Sequence, residues 1–115
     1  MDELQTNINN YPCTVRIQIK LLCARNVLRL DDTTRSYNYA IDALNDAKVE
    51  LGEQTGQTAE AFFITGLICK NIQKSNEALV FLTNALNIAE ILYEKTGIAA
   101  WKPIVANYKK QLESI

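Results

Sequence analysis

Residues 42–56, DALNDAKVELGEQTG, and residues 84–97, NALNIAEILYEKTG, are two versions of one segment. Both contain the pattern Ala-Leu-Asn-x-Ala, and both end in Thr-Gly. The two Ala-Leu-Asn patterns lie 42 residues apart, whereas the two Thr-Gly pairs lie 41 residues apart. A fixed period of about 20–50 residues is typical of stacked supersecondary units, so this sequence predicts a repeat protein.

Each repeat is predicted to form two helices. From residue 12 to about residue 30, apolar side chains recur at steps of three and four residues, which is the pattern of an amphipathic helix. The same pattern predicts four more helices: one that ends at about Glu53, one over about 58–73, one that ends at about Lys95, and one after about residue 99. No segment shows the alternation that is typical of a strand.

Several residues predict where these helices begin and end. Asp31-Asp32-Thr33-Thr34 predicts a turn that supplies an N-cap, rather than a metal site. Ser75 or Asn76 is predicted to cap the fourth helix, because Ser and Asn side chains accept from backbone N–H groups. Gly56 is predicted to end the second helix in the left-handed conformation, and Pro103 to lie in the first turn of the fifth helix.

Together these elements predict an all-α solenoid of helical hairpins. Residues 12–115 form one domain after a polar segment, residues 1–11. Repeat 1 covers about residues 15–56, repeat 2 about residues 57–97, and a C-terminal capping helix about residues 99–114. Small residues are expected where paired helices approach closely, at Ala24, Ala43, Gly66 and Ala85.

The composition favours a soluble protein of the cytoplasm. The net charge is −1, from 12 basic and 13 acidic residues, so no nucleic-acid partner is expected. The N-terminal residues lack the basic and apolar parts of a secretory signal, and no run of about 18 apolar residues predicts a membrane span. Cys13, Cys23 and Cys69 are an odd number for a disulfide framework and are predicted to be thiols.

The chain contains no histidine. This absence removes the usual general base, the common partner of a catalytic Ser or Cys, and the commonest metal ligand. The carboxylates and lysines that are present follow no catalytic motif. We therefore expect no enzyme activity, no cofactor and no metal site.

Small residues form two triplets with spacings of twelve and seven residues: Ala24, Ser36 and Ala43, then Gly66, Ala78 and Ala85. In these residues and spacings the chain resembles the tetratricopeptide repeat family, and its 42-residue period is similar to the long repeats of kinesin light chains. The resemblance implies a right-handed solenoid of helical hairpins. The chain departs from the family pattern because it lacks two aromatic positions and the proline that closes each repeat.

The resemblance also implies a binding site. In tetratricopeptide proteins the first helices of successive repeats line a concave groove that holds a peptide or a helix of a partner. The matching positions here are Gln18, Leu21, Arg25, Leu28, Arg29, Glu60, Phe63, Leu67, Lys70 and Asn71. Because they combine apolar and basic side chains, the expected partner is a protein or peptide with apolar anchors and acidic groups. Leu21 and Arg25 stand where chaperone-binding members have Lys and Asn, so that kind of carboxylate clamp is not expected.

The chain is therefore expected to be a protein–protein interaction module or adaptor. One alternative is a structural subunit that forms a homo-oligomer through the open ends of the solenoid, since about three repeats are usually needed for stability. A second alternative is a peptide-sensing regulatory fragment, because the long repeats are also similar to those of bacterial peptide-sensing regulators.

Overall fold

The structure is a computed structural model and describes residues 12–114. Its α-helices are α1 (Cys13–Arg29), α2 (Thr33–Asp46), α3 (Gly56–Asn71), α4 (Ser75–Thr96) and α5 (Trp101–Glu113), and a π-helical turn (Ala47–Leu51) continues α2. No strand occurs in this part of the chain, which confirms the all-α prediction for it. The polar N-terminal segment of the sequence prediction, residues 1–11, lies outside the described residues.

The first two helices begin as predicted. Pro12 precedes α1 and takes an extended conformation with φ −55° and ψ 154°. The turn after α1 places Asp31 at φ 60°, and the carboxylate of Asp32 accepts a hydrogen bond from the backbone N–H of Arg35 at 3.2 Å. The acidic pair therefore forms a turn and an N-cap, as the sequence indicated.

The prediction that Gly56 ends the second helix is wrong. The chain leaves the π-helical turn at Gly52, whose φ of 95° suits a residue without a Cβ. Thr55 then caps α3, because its hydroxyl accepts from the backbone N–H of Thr58 at 3.1 Å, and Gly56 is the first residue of α3. The first Thr-Gly pair therefore begins a helix.

The second Thr-Gly pair does end a helix, because Gly97 takes the left-handed conformation with φ 64° at the end of α4. At the start of α4 the prediction of a Ser75 or Asn76 cap is wrong. Lys74 occupies the N-cap position, and no side chain there accepts a capping hydrogen bond. The backbone closes this turn instead, through a 2.8 Å hydrogen bond from the Lys74 N–H to the Cys69 carbonyl.

The helices pack in chain order, and α3 also contacts α1. Paired helices approach closely at the small residues, as predicted. In the first pair the hydroxyl of Ser36 donates to the carbonyl of Ala24 at 2.7 Å, and both residues are fully buried. In the second pair a Cβ added to Gly66 would lie 2.7 Å from Leu82 Cγ, so any larger residue there would require Leu82 to shift.

Ion pairs connect α1 to the end of α2 and its π-helical turn. Lys20 Nζ lies 2.6 Å from the Asp46 carboxylate, and Arg16 pairs with Glu50. No disulfide joins the three cysteines, of which Cys23 and Cys69 are buried and Cys13 is half-buried. Within residues 12–114, none of the helices combines the length and apolar content that crossing a membrane requires.

Contacts between the repeats join residues that occupy equivalent places in the sequence. The Gln18 side-chain amide donates to the Glu60 carboxylate at 3.4 Å, across 42 residues of sequence. Lys95 reaches the Gln54 side chain at 3.5 Å across 41 residues. Residues separated by one repeat length therefore lie side by side.

Candidate functional site

A cavity with a volume of about 460 Å³ is formed by α1, α3 and α5. The middle helix, α3, contacts α1 directly and meets α5 through side chains. The lining residues are Arg25, Leu28 and Arg29 of α1, Glu60, Phe63, Ile64, Leu67, Ile68 and Asn71 of α3, and Ile104, Asn107 and Tyr108 of α5. A cavity of this size can hold one or two large side chains of a bound peptide.

The structure brings seven of the ten predicted groove residues to this one cavity: Arg25, Leu28, Arg29, Glu60, Phe63, Leu67 and Asn71. These residues come from two helices and from sequence positions 46 residues apart at the extremes. They meet because α1 and α3 occupy equivalent places in the two repeats.

The other three predicted residues lie elsewhere. Leu21 is in the core, with 2% of its surface exposed, because it lies on the side of α1 that packs on the rest of the protein. Gln18 is exposed and donates to Glu60, and it lies about two turns of α1 before Arg25. Lys70 reaches towards the end of α5, where it donates to Gln111 at 3.5 Å and to Ser114. None of the three lines the cavity.

Positive charge lies on the α1 side of the cavity. Arg25 and Arg29 are exposed, and within residues 12–114 neither has a carboxylate at ion-pair distance. They are one helical turn apart, so their guanidinium groups lie on the same side of α1. Glu60 is the acidic lining residue of the cavity, and it already accepts a hydrogen bond from Gln18. The α1 side can therefore receive acidic groups.

The apolar part of the cavity is held in shape by two aromatic rings. Phe63 of α3 stacks on Tyr108 of α5, with ring centroids 4.2 Å apart and planes inclined by 20°. Burial, with a smaller contribution from the negative charge of Glu60, raises the pKa of Tyr108 to about 12. The phenol is therefore neutral at physiological pH and can donate a hydrogen bond.

The contribution of α5 to the cavity was not predicted. The predicted groove contains no residue of the fifth helix, so it lacks Ile104, Asn107 and Tyr108. A signal was present, because an offset of 41 residues from the groove positions Phe63 and Leu67 leads to Ile104 and Tyr108. Continuing the repeat beyond residue 97 would have placed α5 beside α3.

The chemistry offered by the site is that of binding surfaces. Guanidinium and amide groups can donate hydrogen bonds, and the leucine, isoleucine and aromatic side chains provide apolar contact. No group of three or more His, Cys, Asp or Glu side chains within residues 12–114 is arranged to hold a metal ion.

Comparisons of the chain with protein-family models, with curated proteins and with solved structures find no match. The tetratricopeptide resemblance therefore stays a prediction, which rests on the residues of this sequence.

Proposed function

We propose that this chain is a protein–protein interaction module that holds a peptide or a helix of a partner in the cavity between α1, α3 and α5. One observation carries the proposal. Arg25 and Arg29, which lack carboxylate partners among the described residues, border a cavity whose floor is apolar. Exposed cations that border an open apolar cavity provide both attraction and anchoring for an acidic, amphipathic ligand.

A stacked-repeat architecture of the tetratricopeptide kind supports this proposal. The contacts between residues 41 or 42 apart, such as Gln18 with Glu60, are those expected when consecutive hairpins stack in the same orientation. In such a stack the first helix of each unit faces one common groove. The cavity lies between α1, α3 and α5, which would be the first helices of the two repeats and the capping helix.

The arrangement of charge suggests the form of the partner. Arg25 and Arg29 are about 6 Å apart along one side of α1, which matches two carboxylates one turn apart on a helix or two residues apart on an extended peptide. An apolar side chain beside these carboxylates would enter the cavity next to Phe63 and Leu67. The proposed module acts in the cytoplasm, without a cofactor or a metal ion.

The test compares three baits in a pull-down from the source cell's lysate, followed by mass spectrometry. The first is the unchanged chain, and the second carries Arg25→Glu and Arg29→Glu. The third, a matched control, carries Lys102→Glu and Lys109→Glu, two exposed positions of α5 that do not line the cavity. A direct partner in the cavity is retained by the control and lost by the arginine variant.

A short acidic peptide from the captured partner is then prepared. Its affinity for the chain is measured by calorimetry at low and high salt. We expect the arginine variant to bind at least about tenfold more weakly, and higher salt to weaken binding to the unchanged chain. Equal binding to all three proteins would exclude the cavity. Recovery of this chain alone by every bait would favour self-association over an adaptor role.

A further inference from the structure

Two ends of the cavity between α1, α3 and α5 carry charges of opposite sign. At one end Glu60 is half-buried and accepts a hydrogen bond from the neutral amide of Gln18. Within residues 12–114 its carboxylate has no cation at ion-pair distance, and Arg25 and Arg29 at the other end have no carboxylate at that distance. A charge that a ligand covers costs free energy unless the ligand compensates it, so each end favours a ligand group of the opposite sign.

The two ends are separated along the helix axes. Gln18 and Glu60 are in contact in the first halves of α1 and α3, whereas Arg29 and Asn71, which also line the cavity, are the last residues of these helices. The helices α1 and α3 therefore run in the same direction. Because a helix rises 1.5 Å per residue, Arg25 lies about 10 Å and Arg29 about 16 Å beyond the level of Gln18 and Glu60.

The apolar lining lies between the charged ends. Phe63 and Leu67 follow Glu60 along α3 and precede Asn71, and Ile104 of α5 lines the same cavity. The order along the helix axes is therefore acid, apolar surface, base. A complementary ligand carries the order base, apolar group, acid.

We propose that the partner is an amphipathic helix that lies antiparallel to α1 and α3 and carries acidic residues near its N-terminus and a basic residue about two turns later. This inference rests on the proposed function and specifies the partner's charges. Residues i, i+4, i+7 and i+11 share one side of a helix. Acidic residues at i and i+4 meet Arg29 and Arg25, an apolar residue at i+7 lies against Phe63 and Leu67, and a basic residue at i+11 meets Glu60.

Helix dipoles decide the direction of the partner helix. The C-terminal ends of α1 and α3 lie on the arginine side of the cavity, so an antiparallel partner places its N-terminus there. Acidic residues then lie near the partner's own N-terminus and the basic residue nearer its C-terminus, and both positions are favoured by its dipole. The opposite direction would place the acidic residues where the same dipole disfavours them.

The test uses three synthetic peptides, acetylated and amidated, each held helical by a hydrocarbon staple on the side away from the charges. The forward peptide has Glu at its first and fifth positions, Leu at the eighth and Lys at the twelfth, with Ala and Gln elsewhere. The reversed peptide has the same sequence in the opposite order, and the neutral peptide is the forward one with Gln in place of Lys. Circular dichroism checks that their helicities are equal, and fluorescence anisotropy at low salt measures their affinities.

The peptides are compared on the unchanged chain, on Glu60→Gln and on the matched control Glu94→Gln, an exposed carboxylate of α4 that does not line the cavity. We expect the reversed peptide to bind the unchanged chain at least about fivefold more weakly than the forward peptide. Glu60→Gln should weaken the forward peptide about fivefold and leave the neutral peptide unchanged, because only the forward peptide loses an opposite charge. Glu94→Gln should change neither affinity.

Equal affinities of the forward and reversed peptides would overturn the proposed charge order, as would equal effects of Glu60→Gln on the forward and neutral peptides. In either case the proposed function survives if Arg25→Glu with Arg29→Glu abolishes binding, and fails if it does not. Absence of binding by every peptide at about 1 mM would also overturn the charge order. The pull-down with the arginine variant would then decide the proposed function alone.

Discussion

Phe63 and Tyr108 stack with their ring centroids 4.2 Å apart, and this contact joins α3 to α5 across the floor of the cavity. The stack gives Phe63 two roles, because it lines the proposed binding site and also holds the last helix in place. A variant of Phe63 would therefore change stability and binding together. The arginines of α1, which are exposed, allow binding to be tested separately.

We predict that Phe63→Ala lowers the free energy of unfolding by about 3 kcal/mol, because it removes both the stacking contact and the apolar area beneath it. Urea unfolding measures the loss, and limited proteolysis shows whether α5 becomes the first site of cleavage. Phe63→Leu keeps much of the apolar area and should lose about half as much. A loss below about 1 kcal/mol for Phe63→Ala would show that the stack does not hold α5.

Because the pKa of Tyr108 is raised in the folded protein, we predict that the protein loses stability at high pH. Its folded pKa is about 12, whereas an unfolded tyrosine has a pKa of about 10, so the unfolded chain releases this proton at lower pH. The contribution is constant below about pH 10 and falls by about 2 kcal/mol as the pH rises to about 12. Unfolding curves of the unchanged chain and of Tyr108→Phe should therefore diverge over this window.

Glu60→Gln is the matching control for this pH effect, because the negative charge of Glu60 is the smaller of the two causes of the raised pKa of Tyr108. The control should retain most of the pH dependence, since burial remains. An identical pH profile of stability for the unchanged chain and Tyr108→Phe would show that the raised pKa of Tyr108 does not cause the pH dependence.

Gly66→Val should lower the free energy of unfolding by about 1–3 kcal/mol, because the added side chain would overlap Leu82 at the crossing of α3 and α4. Thermal unfolding measures the effect. Leu82→Ala removes the overlap with the side chain and leaves the backbone nitrogen of residue 82 at 3.2 Å, so the same substitution should cost less in that background. An equal cost in both backgrounds would mean that the contact with the Leu82 side chain does not cause the loss of stability.

The three thiols should differ in reactivity. Cys69 is fully buried, and burial raises its pKa to about 11, whereas Cys13 is only half-buried. Because the thiolate is the reactive form, iodoacetamide should label Cys13 first in the folded protein, and Cys23 and Cys69 should react only when the chain opens. Peptide mapping by mass spectrometry at several times measures the order. Labelling of Cys69 as fast as Cys13 would contradict the burial of α3.

The helices could be predicted from the sequence because apolar periodicity is a local property. The close approach at Gly66 could also be predicted, since a small residue at the same place in both repeats indicates crowded backbones. The conformations of the loops could not be predicted from the sequence. The pattern Thr-Gly ends α4 but begins α3. The chain has already left the preceding helix at Gly52, and the hydroxyl of Thr55 accepts a hydrogen bond from the backbone N–H of Thr58.

The cavity could be predicted only in part for a related reason. Repeat positions predict Arg25 and Leu67 in one groove, and the structure places both residues at one cavity. They placed Leu21 in the groove, although it lies in the core, because a repeat position specifies the side of a helix but not how far neighbouring helices cover it. They omitted Asn107 because α5 was predicted to be a capping helix and not the first helix of a third repeat.

The π-helical turn that continues α2 accounts for the change of offset between the two halves of the chain. Ala47 and Ala89 are 42 residues apart, whereas Leu51 and Leu92 are 41 apart, and all four pack in or against the core. An extra residue in a regular α-helix would rotate every later side chain by about 100°, but a wider turn accommodates it. This is the outcome expected after tandem duplication of an ancestral segment and a later single-residue insertion or deletion, with Leu51 retained on the core side.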